Sequence, residues 1–191
     1  MIKKYYIKDK VDVSLPKNVA CIGYFDGVHL GHQALIKKTI ELADNFKVEP
    51  YLITFNTNLK KNDNYRNLNS LSQRIKLFEH FGIKGVIIID FNDKLMNLDY
   101  KEFVNKYLLN FNLESIVCGE DFSFGKGALG KSKDLKKYLK TYVVNEVKYY
   151  GKKISSYRIK QEISKKNYKL VDKLLGYKYE RWFLQVSKRG F

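Results

Sequence analysis

Residues 19–36 read VACIGYFDGVHLGHQALI, and this stretch decides the fold. Its first four residues, 19–22, are all apolar, which is typical of a strand buried on both faces of a parallel sheet. Gly23 and Gly27 then bracket a turn, because glycine tolerates a close backbone approach and a positive φ. From Gly31 onward, apolar residues recur at helical spacing. They are Leu35, Ile36, Ile40, Ala43 and Phe46. The stretch therefore predicts a strand, a glycine turn and a helix in direct succession.

This turn is a candidate anion site. A helix that begins directly after a buried strand presents free N–H groups and the positive end of its dipole to a ligand. His29 and His32 lie at this point, and they are two of the three histidines in the chain. A single histidine here would be typical of a surface residue near a turn. The pair, within Gly-x-Phe-Asp-Gly-x-His-x-Gly-His, is far less expected by chance and indicates a functional role.

The length and composition of the chain restrict its class. With 191 residues, of which 45% are hydrophobic and 29% charged, one folded cytoplasmic domain, with or without a short tail, is expected. Cys21 and Cys118 each lie in an apolar run, which argues against a disulfide framework or a zinc site. We find no signal peptide at the start and no apolar window long enough to span a membrane, and we expect no protein metal site.

The net charge of +16 is compatible with several kinds of binding partner. Nucleic acid, a membrane surface and anionic small substrates would all be attracted to it. The lysines are spread along the whole chain, however, and no recognisable nucleic-acid module accompanies them. The positive charge therefore indicates a compositional bias, with some attraction of anionic substrates. This bias argues against nucleic-acid binding as the function.

The rest of the chain alternates between strand and helix patterns. Short apolar runs at 51–55, 86–89 and 116–118 predict further buried strands. Ser70 and Asp99 predict helix starts, each with a Gln or Glu at the third position, and a basic helix is expected over 133–142. This alternation is typical of a doubly wound parallel α/β sheet. The glycine-rich loops follow strands, so we expect them to converge at the carboxyl edge of that sheet.

Three later motifs carry polar or aromatic residues at the ends of predicted strands and helices. The first is Gly119-x-Asp121-Phe122-x-Phe124-Gly125, the second is Ile154-Ser155-Ser156-x-x-Ile159-Lys160, and the third is Leu174-Leu175-Gly176-x-x-Tyr179. By themselves, Ser155 and Ser156 are typical of a helix N-cap and its neighbour. The phenylalanines of the first motif, together with Phe55, are typical of packing residues.

Taken together, these motifs resemble a known family. The histidine turn matches the HxGH signature of the nucleotidyltransferase superfamily. With its flanks it resembles the FMN adenylyltransferase (FAD synthetase) module of the bacterial bifunctional riboflavin kinase/FAD synthetase family, and the likeness extends to about residue 180. It implies a Rossmann-like nucleotidyltransferase fold. It also implies transfer of AMP from ATP to FMN, giving FAD and pyrophosphate, with Mg²⁺ accompanying ATP.

The resemblance implies roles for individual residues. Those implied in catalysis are His29, His32, Ser155, Ser156, Arg158 and Lys160. Those implied in nucleotide or flavin binding are Gly23, Tyr24, Phe25, Asp26, Gly27, Gly31, Phe55, Gly119, Asp121, Phe122, Phe124 and Ile154. The family usually has arginine where this chain has Lys160, and Arg158 lies two residues earlier. Which of the two cations meets the leaving pyrophosphate is therefore open.

The sequence departs from the family pattern in two further respects, and these departures leave alternative functions open. Residues 54–59 replace the family segment TFxPHP and lack its Pro-His-Pro. We predict an adenylyltransferase domain at 1–180 and a tail at 181–191, a remnant of a missing riboflavin kinase domain, without riboflavin kinase activity. The alternatives are a degenerate flavin- or nucleotide-binding protein with little turnover and a nucleotidyltransferase for another phosphorylated acceptor, such as nicotinamide mononucleotide or phosphopantetheine.

Overall fold

The computed structural model describes residues 1–57 and 67–179, which form alternating strands and helices. The strands are β1 (Lys3–Ile7), β2 (Asn18–Ile22), β3 (Glu49–Phe55), β4 (Gly85–Ile89), β5 (Leu113–Gly119), β6 (Ser123–Phe124), β7 (Gly130–Lys131), β8 (Thr141–Val144), β9 (Lys148–Tyr149) and β10 (Lys152–Lys153). The helices are α1 (Leu30–Phe46), α2 (Leu71–His80), α3 (Asp93–Met96), α4 (Tyr100–Lys106), α5 (Ser132–Leu135), α6 (Ser156–Ser164) and α7 (Tyr168–Leu175). Short 3₁₀ turns lie at Leu108–Asn110 and Lys126–Ala128.

The central sheet has six parallel strands in the order β1-β4-β3-β2-β5-β8. From β2 the chain winds through β3 to β4 in one direction, and it then returns to the other side of β2 for β5 and β8. The direction reverses between β2 and β5, and in open α/β sheets ligands bind beyond the strand ends at such a point. The predicted doubly wound parallel α/β sheet is confirmed.

Apolar side chains pack on both faces of the sheet, because successive residues of a strand point to opposite sides. In β2, Val19 and Cys21 pack with apolar residues of α1 and α2, whereas Ala20 and Ile22 pack with those of α3, α4 and α5. The packing explains why residues 19–22 are uniformly apolar. The amino end of α1 is thereby held against the buried end of β2.

The starts of two helices, at Ser70 and Asp99, follow the sequence prediction. Ser70 caps α2 in a reciprocal capping box with Gln73, and Asp99 caps α4 by accepting a hydrogen bond from the amide of Lys101 at 2.8 Å. Gly176 ends α7 with a φ of +74°, in the left-handed conformation that favours glycine.

The predicted basic helix at 133–142 is wrong. Helix α5 ends at Leu135, and β8 begins at Thr141. Pairing with the sheet competes with helix propensity here, because the amide of Ile116 donates to the carbonyl of Lys140 at 2.9 Å. The residues between form a tight turn in which the amides of Tyr138 and Leu139 both donate to the carbonyl of Leu135.

Candidate active site

The glycine turn, residues 23–29, joins the end of β2 to the start of α1. Its conformation is unusual, since Phe25 has a φ of +60° and Gly27 a φ of +83°. A non-glycine residue at positive φ is uncommon and is retained where the surrounding structure enforces it. The ring of Phe25 is buried between the rings of His32 and Phe78, at centroid distances of 5.1 and 5.7 Å. These contacts hold the turn in a conformation that presents His29 and His32.

The two histidines stack on each other at the amino end of α1. Their ring centroids are 3.7 Å apart and their planes differ by 17°. His29 is the N-cap residue, and its Nδ1 accepts a hydrogen bond from the amide of His32 at 3.4 Å. An accepting Nδ1 carries no proton, so neutral His29 has its N–H at Nε2. A Cβ on Gly31 would lie 3.1 Å from Cε1 of His29, so glycine leaves room for the stack.

The surroundings of both imidazoles disfavour their charged form. Burial, followed by the charge of Lys153, lowers the pKa of His29 to about 4. Burial, then His29 and Arg74, lower the pKa of His32 well below its usual value of 6.5. Both rings are therefore neutral at pH 7, and each can offer a ring N–H to a ligand but no positive charge. Nδ1 of His32 is buried and has no hydrogen-bond partner within residues 1–57 and 67–179.

A cleft of about 240 Å³ opens in front of this stack, at the switch point of the sheet. Its walls come from the glycine turn and the start of α1, the loop after β5, the segment after β8, and the start of α6. The described residues that line it are His29, Gly31, His32, Leu35, Gly119, Glu120, Asp121, Val144, Asn145, Glu146, Val147, Lys153, Ile154, Ser155 and Ser156. Of the residues predicted from the sequence, the structure therefore brings His29, Gly31, His32, Gly119, Asp121, Ile154, Ser155 and Ser156 together in one cleft.

A second helix amino terminus faces the same cleft. Ser155 is the N-cap of α6, and its side chain accepts a hydrogen bond from the amide of Arg158 at 3.2 Å. The hydroxyl of Ser156 donates to the main-chain carbonyl of Asp26 at 2.7 Å. The N-cap interpretation of Ser155 is confirmed. Because α1 and α6 both begin at the cleft, two sets of free amides and two positive dipole ends favour an anion there.

Among the described residues that line the cleft, the one cation is Lys153, which the sequence prediction missed. Its ammonium forms an ion pair with Asp121 and lies 3.6 Å from a carboxylate oxygen of Glu146. The available signal was its position directly before Ile154, at the start of the second motif. Composition concealed it, because the chain contains 36 lysines and arginines in all.

Arg158 and Lys160 are absent from the described residues that line the cleft. The guanidinium of Arg158 turns back to the β9–β10 hairpin, where it donates to the carbonyls of Tyr149, Lys152 and Lys153 at 3.2, 2.8 and 3.3 Å. Lys160 pairs with the carboxylate of Asp26 at 2.8 Å. A contact between either cation and a leaving group stays a prediction.

Arg74 was also missed, and it braces the glycine turn from α2. Its side chain is buried, and it donates to the carbonyl of Tyr24 at 2.6 Å, to Oγ1 of Thr54 at 2.9 Å and to the carbonyl of Phe55 at 3.0 Å. Its guanidinium also lies 4.2 Å from the centre of the Tyr24 ring. It therefore joins the carboxyl ends of β2 and β3. An arginine within an amphipathic helix gives no sequence signal for this role.

The predicted aromatic residues lie at the same edge of the sheet. The rings of Phe122 and Phe124 stack at 5.4 Å, and Phe55 meets Phe91 edge-on at 6.0 Å. Phe55 and Phe124 are buried in the apolar layer, whereas Phe122 is only partly buried. The packing interpretation accounts for Phe55 and Phe124, and a contact of these rings with a flavin stays a prediction.

The segment that departs from the TFxPHP pattern is described as far as Thr57. Asn56 donates to the carboxylate of Asp90 and accepts from the amide of Phe91 at 2.9 Å, and the hydroxyl of Thr57 donates to the carbonyl of Phe91 at 3.2 Å. The start of this segment is thus attached to the loop after β4. Residues 58–66, which include the rest of this segment, and the predicted tail at 181–191 lie outside the described residues.

Within residues 1–57 and 67–179, no group of three or more histidine, cysteine, aspartate or glutamate side chains has the arrangement of a metal site. Within the same residues, no helix combines the length and the apolar character that crossing a membrane requires.

Comparison with known proteins gives consistent matches. The sequence profile of FAD synthetase matches residues 12–158. A bifunctional riboflavin kinase/FMN adenylyltransferase of Listeria monocytogenes is 31% identical over 185 residues, which are 90% of this chain and 58% of the relative. An FAD synthetase of the same organism is 30% identical over 171 residues, covering 83% of this chain and 68% of the relative.

A solved structure supports the same relationship. The crystal structure of a protein described as a macrolide-efflux protein from Streptococcus pneumoniae matches with a TM-score of 0.84 and 31% identity, over 93% of this chain and 62% of that one. The chain spans a little over half the length of the bifunctional relatives, at 58% and 54% for two of them. The profile match covers well over half of the sequence and includes the histidine turn, the Gly119 loop and the start of α6. This chain therefore belongs to the FAD synthetase family.

Proposed function

We propose that this protein transfers AMP from ATP to FMN and releases FAD and pyrophosphate. The observation that carries the proposal is the stacked, neutral His29–His32 pair at the start of α1, which faces the start of α6 across one cleft. The starts of α1 and α6 supply N–H donors on two walls of the cleft, whereas its carboxylates, Glu120, Asp121 and Glu146, lie in the loop after β5 and the segment after β8. This arrangement suits a polyphosphate better than it suits an uncharged ligand.

The chemistry requires positioning more than it requires a reactive side chain. A phosphate oxygen of FMN attacks the α-phosphorus of ATP in line, the bond from that phosphorus to the bridging oxygen breaks, and its electrons leave with pyrophosphate. No general base is needed, because the FMN phosphate is already ionised at pH 7. Catalysis then depends on donors that meet the charge developing on the phosphates.

The described residues offer those donors in two groups. Nε2–H of His29 and the ring of His32 lie over the amino end of α1, where we place the α- and β-phosphates. The free amides behind Ser155, together with the ammonium of Lys153, lie on the opposite wall, where we place the leaving pyrophosphate. In this arrangement Lys153 exchanges its carboxylate partners for phosphate oxygens when ATP binds.

The remaining features of the proposal concern ligands and location. Mg²⁺ enters as part of the substrate MgATP, with its oxygen ligands supplied mainly by phosphate and water. The flavin lies toward the Gly119 loop, where the partly buried ring of Phe122 offers an aromatic face. We also propose a cytoplasmic location, where ATP and FMN are found, and small-molecule partners rather than nucleic acid.

The test is chromatography of the products from purified protein incubated with ATP, Mg²⁺ and FMN. FAD and pyrophosphate should form in equal amounts. His32→Ala should lower kcat by about 10²–10³ with a much smaller change in KM for ATP, as is typical for loss of one preorganised donor. His80→Ala, at an exposed histidine on α2, is the matched control.

A reaction with riboflavin in place of FMN tests the role of the acceptor phosphate. Riboflavin has only a hydroxyl at that position, so no product should form. If the protein binds FMN and ATP but releases no FAD, the degenerate binding function replaces the proposed one. Transfer of AMP to nicotinamide mononucleotide or phosphopantetheine, but not to FMN, would favour another acceptor.

A further inference from the structure

We propose that Lys160 is a positioning residue that fixes the glycine turn to the amino end of α6 by neutralising Asp26, and that it is not the cation that meets the pyrophosphate. This inference rests on the proposed function for its effect on the reaction. Its structural part concerns only the contacts of Asp26 and can be measured without any substrate.

The carboxylate of Asp26 is the centre of these contacts, and its side chain is only 3% exposed. One oxygen, Oδ1, accepts hydrogen bonds from the amides of Leu68 at 2.7 Å and Asn69 at 3.2 Å. The other oxygen, Oδ2, lies 2.8 Å from the ammonium of Lys160, whose side chain is 21% exposed. A buried carboxylate is strongly unfavourable without a paired charge and hydrogen bonds. Asp26 has both.

The backbone of the turn is attached to the same helix. The main-chain carbonyl of Asp26 accepts a hydrogen bond from the hydroxyl of Ser156 at 2.7 Å. Ser156 and Lys160 are four residues apart in α6, so they lie on one face of the helix and reach the same residue. The hydroxyl of Tyr177 also donates to the carbonyl of Gly27 at 2.8 Å. The turn that carries His29 is thus attached to the wall that carries Ser155.

This attachment determines the geometry between the two walls of the cleft. The donors on α1 and α6 have to contact one polyphosphate at the same time. A displacement of about 1 Å between such groups can cost about 10² in rate. If Lys160 swung away to reach a phosphate, the buried carboxylate of Asp26 would lose its counter-charge, and the attachment would weaken at the moment when it is needed. Lys153, in contrast, already lies in the cleft wall.

A double-mutant comparison separates the two roles. The positioning role predicts that Lys160→Met lowers kcat by about 10² with KM for ATP changed only a few-fold, since positioning is lost rather than a substrate contact. It also predicts that Lys160→Arg keeps most of the activity. Adding Asp26→Asn to Lys160→Met should then recover about tenfold in kcat, because the unpaired buried charge is gone.

A phosphate-binding role predicts a different pattern. The double variant would then be as slow as Lys160→Met, because replacing Asp26 cannot restore a missing phosphate contact. That result would overturn the proposal. If Lys160→Met does not fold, the double variant is compared with Asp26→Asn alone. Similar rates support positioning, and a further loss of about 10² in the double variant contradicts it.

Hydrogen exchange of the ligand-free protein tests the structural part without relying on turnover. Amides at 27–31 should exchange faster in Lys160→Met than in the wild type, and they should regain protection in Asp26→Asn/Lys160→Met. Unchanged exchange in Lys160→Met would overturn the proposal even in an active enzyme. If the wild type forms no FAD, the proposed function fails, and the exchange pattern still decides whether Lys160 holds the turn.

Discussion

The neutral state of His29 makes the stability of this protein depend on pH in a predictable way. In the folded chain the pKa of His29 is about 4, against 6.5 for an unperturbed histidine, because burial disfavours the imidazolium. The unfolded chain therefore binds the proton more readily. The stability from this residue is complete above pH 6.5, and it decreases as the pH falls toward 4.

The magnitude follows from the two pKa values. At about 1.4 kcal/mol for each pKa unit, lowering the pH from 8 to 5 should remove about 2 kcal/mol of folding free energy through His29 alone. His32 contributes in the same direction, since its pKa is also lowered. The contribution of His29 is therefore isolated by comparing the pH-dependent loss of unfolding free energy in the wild type with the loss in a His29→Asn variant. Asparagine retains a side chain suited to the N-cap.

The assay is urea unfolding at pH 8 and pH 5, with the free energy of unfolding extrapolated to water for each protein. The wild type should lose about 2 kcal/mol more than His29→Asn over this range. His80→Asn, at an exposed position, should lose as much as the wild type. If His29→Asn and the wild type lose equal stability, His29 is not held neutral by burial, and its role as a neutral donor is wrong.

Three further substitutions test other parts of the site. Lys153→Met should lower kcat/KM for ATP by about 10², measured by steady-state kinetics, because a cation is removed from the cleft wall, whereas Lys152→Met should change it little. Gly27→Ala should lower the unfolding free energy by about 1–3 kcal/mol in urea, since its φ is +83° and a leucine methyl lies 2.6 Å from the added Cβ. Gly151→Ala, with a φ of +72° and open space, should cost less. Arg74→Met should cost about 1–3 kcal/mol in the same assay, because it removes the hydrogen bonds that the buried guanidinium donates to Tyr24, Thr54 and Phe55.

Local sequence patterns were enough to predict the strands and helices at the site and the meeting of their glycine-rich loops at one edge of the sheet. Four apolar residues in a row, a glycine pair and a helical stripe are local patterns, and residues 19–36 form the predicted strand, turn and helix. The capping box at Ser70 is likewise local, since both partners lie within one helical turn. Because strands that alternate with helices are connected in parallel, the meeting of the Gly23 and Gly119 loops at one edge followed from the pattern alone.

The end of the helix predicted at 133–142 depends on contacts between residues that are distant in the sequence. Lys140 pairs with Ile116, which lies in a strand more than 20 residues earlier in the chain, and this pairing competes with continuation of the helix. No local sequence pattern contains that information. The bracing role of Arg74 could not be predicted from local patterns either, because its helix is an ordinary amphipathic helix. Its function comes from carbonyls 19 and 50 residues away.

The partner of each cation near the start of α6 likewise could not be predicted from the sequence. Lys153, Arg158 and Lys160 lie within eight residues of one another, yet they contact respectively the cleft carboxylates, the carbonyls of their own hairpin and Asp26 on the glycine turn. Spacing along a helix determines the face on which a side chain lies, but not the charge that it meets there. Lys160 contacts Asp26 because that buried carboxylate requires a positive partner. Asp26 lies 134 positions before Lys160 in the sequence, so no local pattern predicts the pair.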